Sequence, residues 1–232
     1  MADNATMADE RKPGSSRGEE GRRALIAAAI EGFGRLGYDA VSTRSIARQA
    51  GANQAMISYY FGGKEGLYLA TIEHIAESLS EQIGPVAASV LEERTQLQED
   101  PDTPPEAYLE LIYRITDRLV EVVSSEETHA WARIILREQQ DPSPAFDVLY
   151  QRFIRRIIEP LSYLLNGARG GDGRSAHDRI RVLTVIGQVI VFRAANAAAL
   201  RLMGWKRIGP REVTEIQSVV RDNIAAIAGD AT

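Results

Sequence analysis

A chain of 232 residues, 44% of them hydrophobic, has enough apolar surface for a packed core. Cysteine is absent, which excludes a disulfide framework, a thiolate nucleophile, a Cys-ligated zinc and an iron–sulfur cluster. The formal net charge of −5 argues against a polyanionic partner until its distribution is read: residues 1–66 carry nine Lys/Arg against eight Asp/Glu, the remainder eighteen against twenty-four, and residues 40–64 hold three cations and no acid.

Aromatic residues make up only 6% while Ala, Leu, Ile, Glu and Arg abound, which predicts an all-α protein. Residues 1–18 mix Gly, Ser, Pro and charge without periodicity and read as a disordered tail. The polar start lacks the apolar stretch of a secretory leader, so a cytoplasmic location is expected. From Glu19 onward Leu25, Ala29, Ile30, Phe33 and Leu36 recur at helical spacing until Gly37. Thr43 is placed to cap a two-turn helix with Ile46, Ala47 and Ala50 inward, ended by Gly51. Asn53 then caps a helix over residues 54–60, and two short helices joined by a Gly-led turn form a helix-turn-helix. Leu67, Tyr68, Thr71, Ile72, Ile75 and Leu79 continue as a connector helix over 64–82, ending at Gly84-Pro85.

Downstream, Thr103-Pro104-Pro105-Glu106 has the spacing of a capping box ahead of Tyr108, Leu111, Ile112, Ile115, Leu119 and Val122. A helix over 126–139 stops at Asp141-Pro142. Another begins at Ser143-Pro144 and runs through Phe146, Leu149, Phe153, Ile157 and Leu161, with Pro160 expected to kink or split it. Residues 166–174, rich in Gly, read as an exposed loop. The apolar run 182–200 approaches membrane-spanning length but contains Arg193, Thr184, Gln188 and Asn196, so it reads as a buried helix. It belongs to a helix over 175–203 that is apolar nearly all round and must be covered on every side; a last helix spans 210–228.

The stretch 22–79, above all Thr43-Arg44-Ser45-Ile46-Ala47-Arg48-Gln49-Ala50-Gly51 followed by Ile57-Ser58-Tyr59-Tyr60-Phe61-Gly62-Gly63-Lys64-Glu65-Gly66-Leu67, resembles the DNA-binding domain of TetR-type transcriptional repressors. Residues 187–193 and 201–205 resemble the effector-binding domain of one subgroup, described as CerR- or CecR-like. The resemblance implies an N-terminal three-helix DNA-binding domain over 19–66 and a larger helical effector-binding and dimerisation domain over 83–232. By family position Gln54 faces a base edge, its amide suiting adenine; Ala55 and Met56 meet a thymine methyl, and Ser58 a base or phosphate. Tyr59, Tyr60 and Lys64 match positions that grip the backbone, and Thr43 and Arg44 reach phosphate or groove; Asn53 completes the set, and Ile57 and Phe61 fall to the core. Gly62-Gly63 departs from the polar or basic pair usual there and removes a phosphate donor, and Ala52-Asn53 replaces the usual Val-Ser.

No nucleophile elbow, phosphate loop or dinucleotide fingerprint occurs, and the lone Glu126-x-x-His129 lacks the second copy a di-metal site needs, so neither enzyme nor metal nor cofactor is expected. A small-molecule effector would be sought among Tyr108, Tyr113, His129, Trp131, Arg133, Arg137, Phe153, Gln188 and Asn196, polar or bulky groups on core helices that equally well serve packing and interfaces. The whole predicts a ligand-responsive, homodimeric repressor that reads a palindromic double-stranded operator, dimerised through 175–203 and 210–228, without a membrane partner. The alternative is a helical ligand-binding or scaffolding protein that does not bind DNA.

Overall fold

The computed structural model describes residues 13–99, 102–171 and 175–229, and among them every regular element is a helix. In chain order these are α1 (Pro13–Leu36), α2 (Thr43–Gln49), α3 (Ala55–Phe61), α4 (Lys64–Glu99), α5 (Pro105–Ser124) and α6 (His129–Gln140). There follow α7 (Ala145–Leu149), a π-helical turn (Tyr150–Ile154), α8 (Arg155–Arg169), α9 (Ala176–Ala194), α10 (Asn196–Met203) and α11 (Pro210–Gly229). The all-α expectation holds. The chain divides into two compact units, one through Thr71 and one from Ile72 onward.

In the first unit Leu25, Ile26, Ala29 and Phe33 of α1 join Ile46 and Ala47 of α2, Ile57 of α3 and Leu67 of α4 in one buried core. Phe33, Tyr38 and Tyr68 close one end of it, the Phe33 and Tyr68 rings meeting edge-on at 4.9 Å. Helix α1 begins at Pro13, ahead of Glu19 where the apolar period starts, which shortens the expected tail; residues 1–12 lie outside the described residues.

In the second unit α5 is central, packing on α8, α9 and α11 with Leu111, Ile112, Ile115, Leu119 and Val122 buried. Several local expectations are overridden here. The connector does not stop at Gly84-Pro85 but continues to Glu99. An interior proline costs about 3 kcal/mol, and burial of Ile83 and Val90 on either side of it offsets that cost. Likewise α8 runs unbroken through Pro160, and the ladder widens upstream, in the π turn, where the Arg152 carbonyl accepts from Ser80 Oγ at 3.1 Å. At the start of α5, Pro104 is the cap residue without a side-chain bond, and Thr103 Oγ1 donates to the Leu97 carbonyl at 3.2 Å. Helix α6 starts at His129, after a turn in which Thr128 Oγ1 donates to the Val122 carbonyl at 2.8 Å. The loop expected from residue 166 is helical to Arg169, with Asn166 buried; residues 172–174 lie outside the described residues.

The largest departure concerns the apolar helix expected over 175–203. It breaks at Ala195 into α9 and α10, bent by 82°, so Asn196 does not continue the face that carries Thr184 and Gln188. Within the single chain Val182, Val185 and Val189 are buried, while Ile180, Leu183, Ile190 and Val191 are exposed, as are Leu202 and Met203 of α10. Among the described residues no single helix is long and apolar enough to cross a membrane.

Candidate nucleic-acid interface and regulatory cavity

Ser42, not Thr43, caps α2. Its backbone is extended (φ −96°, ψ 146°) and its Oγ accepts from the Ser45 N–H at 3.1 Å, satisfying one of the helix's orphan donors. The Thr43 hydroxyl is left to accept from Gln54 Nε2 at 3.1 Å, which ties the first turn of α2 to the residue that opens α3. Gln54, not Asn53, holds the N-cap position of α3 and makes no side-chain cap bond, while Asn53 Oδ1 accepts from the Ala55 N–H at 2.9 Å just ahead of the helix.

With Ile57 only 1% exposed and facing inward, the opposite surface of α3 is presented outward: Asn53, Gln54, Ala55, Ser58 and Tyr59 are exposed, Tyr59 by 78%, and Met56 and Tyr60 are half-buried. The Tyr59 and Tyr60 rings meet edge-on at 5.1 Å. Phe61, expected in the core, is half-buried instead, with the Arg22 guanidinium 5.4 Å above its ring. Lys64 Nζ donates to the Asp39 carbonyl at 3.2 Å and lies 4.7 Å from the centre of the Tyr38 ring, so its cation is already held in place. Arg44 and Arg48 are exposed, and among the described residues neither bonds a carboxylate.

Two glycines shape the end of α3. Gly62 is left-handed (φ 74°), a conformation glycine adopts without steric cost, and its N–H donates to the Ser58 carbonyl at 3.0 Å. At Gly66 a Cβ would stand 1.8 Å from the Phe61 carbonyl oxygen, so no side chain is compatible with this approach of α4 to α3.

In the second unit Leu119, Trp131, Leu136, Phe153, Ile190 and Arg193 are among the walls of an almost wholly apolar cavity of about 100 Å³. Arg193 is the organising group. Its Nε donates to the Val123 carbonyl at 2.7 Å, Nη2 to the Ser125 carbonyl at 2.6 Å, and Nη1 meets His129 Nδ1 at 2.9 Å. One guanidinium from α9 thus binds carbonyls at the C-terminal end of α5 and the first residue of α6. Burial lowers its pKa from the usual arginine value, and Glu126 opposes that shift. Arg193 also lines a polar recess of about 120 Å³ with Glu126, His129, Asn196, Lys206 and Arg207.

The nine effector candidates therefore separate. Trp131 and Phe153 line the apolar cavity, and His129 and Asn196 the polar recess. Tyr108 packs so tightly on Gly167 of α8 that a Cβ there would come within 2.3 Å of its ring. Tyr113 lies under the Arg221 guanidinium at 5.3 Å; burial raises its phenol pKa and Arg221 opposes the rise. Gln188 Oε1 accepts from Asn223 Nδ2 at 2.9 Å, joining α9 to α11. Arg133 and Arg137 are exposed and line neither cavity. The residue missed in this set is Arg193, whose signal was its position as the one cation inside an apolar run.

Residues 25–71 match the family described as bacterial regulatory proteins, tetR family, and residues 108–230 match the C-terminal domain of the HTH-type transcriptional dual regulator CecR. The CecR protein of Shigella flexneri is 33% identical over 211 residues, 91% of this chain and 92% of that one. The transcriptional regulator BetI of Brucella anthropi is 42% identical over 62 residues, 27% of this chain and 32% of that one. Among solved structures, the TetR-family regulator SCO4454 of Streptomyces coelicolor superimposes with a TM-score of 0.62 at 16% identity, covering 92% of this chain and 96% of that one. The hemolysin II regulator HlyIIR gives 0.55 at 20% identity, covering 87% and 97%. The chain belongs to the TetR family of DNA-binding transcriptional regulators, with a C-terminal domain of the CecR type.

Proposed function

We propose that this regulator acts as a homodimeric, ligand-responsive repressor whose exposed α3 surface reads a palindromic operator. The observation that carries the reading is that surface itself: Gln54, Ala55, Ser58 and Tyr59 stand clear of the core on a segment, residues 40–64, that contains no acid. Gln54 Nε2 uses one of its two hydrogens on Thr43, which leaves the second hydrogen and Oε1 for the paired acceptor and donor on an adenine edge. Tyr59, Tyr60, Arg44 and Thr43 surround it as phosphate ligands, while Ala55 and Met56 are short or apolar enough for a thymine methyl. Asn53 steadies the entry to α3 through its bond from the Ala55 N–H, and Lys64, bonded to Asp39, serves as a cation with two donors left for phosphate.

Dimerisation is assigned to α9, α10 and α11, because Ile180, Leu183, Val191, Leu202 and Val219 are exposed there. Isolated apolar residues on a surface are ordinary, but five large ones on three consecutive helices, with Leu202 84% exposed, favour cover by a second copy. A two-fold pair would offer two α3 helices to major grooves about 34 Å apart. An effector seated in the Trp131/Phe153 cavity would act through Arg193, whose bonds to α5 and α6 it would favour or oppose. Only a ligand that binds the two states of the dimer unequally shifts operator affinity. The Shigella flexneri relative is a transcriptional dual regulator by name, so activation at some promoters belongs to the same reading.

The test is selection of duplexes from a random library by the purified protein at near-physiological salt, with Gln54→Ala in parallel. Enrichment of a palindrome by the wild type, weakened or altered at one position of each half-site by the substitution, supports the reading. Weak, sequence-independent and salt-sensitive binding by both proteins contradicts it.

A further inference from the structure

The second unit contains an open groove of about 470 Å³ between α4 and the segment from Phe153 to Pro160, within the range of about 300–1,000 Å³ common for small-molecule sites. Ala87, Ala88, Leu91 and Ile157 give it an apolar lining, and Leu91 is 50% exposed. Two guanidinium groups stand over that lining. Arg94 lies 4.9 Å above the Tyr163 ring with its Nε buried and bonded to no atom of the described residues. Arg156 is exposed and likewise bonds no carboxylate among them. The groove's own acid, Glu159, is engaged by Arg155 Nε at 2.6 Å, and Glu93, near Arg94 in sequence, is held by Arg114 at 2.6 Å. Glu159 and Glu93 are thus committed elsewhere, while neither groove cation bonds a carboxylate among the described residues.

A buried, unpaired guanidinium donor is costly, and its strongest partner is a planar carboxylate, which accepts two parallel N–H bonds. We propose that the groove binds an amphipathic carboxylate, its head group between Arg94 and Arg156 and its hydrocarbon body on Ala87, Ala88, Leu91 and Ile157. Ile83 and Phe153 wall both this groove and the apolar cavity that contains Trp131, so the two spaces share a wall. The groove is built on α4, the helix whose first residues, 64–71, belong to the DNA-reading unit. An effector role for the occupant rests on the ligand-responsive reading given above.

Isothermal titration of the full chain with sodium decanoate, with 1-decanol as the uncharged probe, tests the site. Saturable binding of decanoate near one equivalent per chain is expected, with decanol weaker by about tenfold or more, the worth of charge-assisted hydrogen bonds. Arg94→Gln and Arg156→Gln should each weaken decanoate by about tenfold and leave decanol unchanged. Arg156 is exposed, so its variant decides the matter if Arg94→Gln proves poorly folded. No saturable decanoate binding below about 1 mM, equal affinity for the two probes, or unchanged affinity in Arg156→Gln would overturn the proposal. Operator affinity measured on the same samples separates the two readings. Decanoate binding that obeys these expectations while operator affinity stays constant upholds the site and contradicts the effector role.

Discussion

In the unit ending at Thr71, Arg44 and Arg48 stand exposed without a carboxylate partner among the described residues, whereas in the unit from Ile72 onward ion pairs are frequent. Arg114 meets Glu93, Arg118 meets Glu121, Arg152 meets Glu73 and Glu77, Arg155 meets Glu159, and Arg221 meets Asp117. Most of these pairs are solvent-exposed and worth between nothing and about 1 kcal/mol each, so their lesson concerns charge more than stability. One unit keeps cations uncommitted beside α3, where phosphate neutralisation can release counterions. In the other, Arg114, Arg118, Arg152, Arg155 and Arg221 pair with that unit's own acids and Arg193 turns to backbone carbonyls, while Arg94 and Arg156 are among the cations that bond no carboxylate among the described residues. A net charge of −5 is thereby compatible with a DNA-binding protein.

The most drastic way to break the contrast is to destroy the scaffold of the DNA-reading unit. Gly66→Ala puts a Cβ into the Phe61 carbonyl and should cost more than about 3 kcal/mol, read as early loss of helix on heating and loss of duplex binding. Next, Arg193→Met removes three bonds that join α9 to α5 and α6. A loss of about 2–3 kcal/mol is expected in denaturant unfolding, because the Val123 and Ser125 carbonyls lose a charged donor. Arg44→Gln should do the opposite, leaving the unfolding midpoint within experimental error while reducing the salt slope of duplex binding by about one. A variant of Arg44 that unfolds early, or of Arg193 that does not, would erase the distinction between committed and uncommitted cations.

The smallest effect is on pH dependence in the second unit. Asp178 and Glu212 have carboxyl pKa values below the usual range, Asp178 chiefly through its hydrogen bond with Ser175, Glu212 chiefly through backbone N–H groups, its own and that of Gly209. A depressed folded-state pKa contributes stability that is present above the ordinary carboxylate pKa and lost as pH falls through the folded value. Carboxyl titration followed by NMR should place both below model aspartate and glutamate, and Ser175→Ala should move Asp178 back up.

The architecture was legible in the sequence wherever a helix carried a continuous apolar period, as in α1, α5 and α11, and the recognition segment was legible through its residue types. What sequence reading missed came from competition between local signals and tertiary burial. Ser42, Thr43 and Ser45 offer three hydroxyls for one cap, and the extended backbone at Ser42 decides among them. Pro85 and Pro160 are local breakers overruled by buried neighbours such as Ile83 and Leu161. The bend at Ala195 has only a weak local marker, Asn196, set among alanines with good helix propensity. Scattering of the effector candidates has the same origin: Tyr108, Tyr113 and Gln188 are consumed by contacts to Gly167, Arg221 and Asn223, long-range partners that spacing along one helix cannot reveal.

The central claim is that a pair of chains reads two half-sites through α3. Fluorescence anisotropy with the selected palindrome, and with the same duplex after one half-site is scrambled, tests it directly at fixed salt. The account predicts that scrambling weakens binding by at least about a hundredfold and that Leu183→Glu, placed on the exposed face of α9, weakens binding to the intact palindrome. Equal affinity for the two duplexes would contradict it.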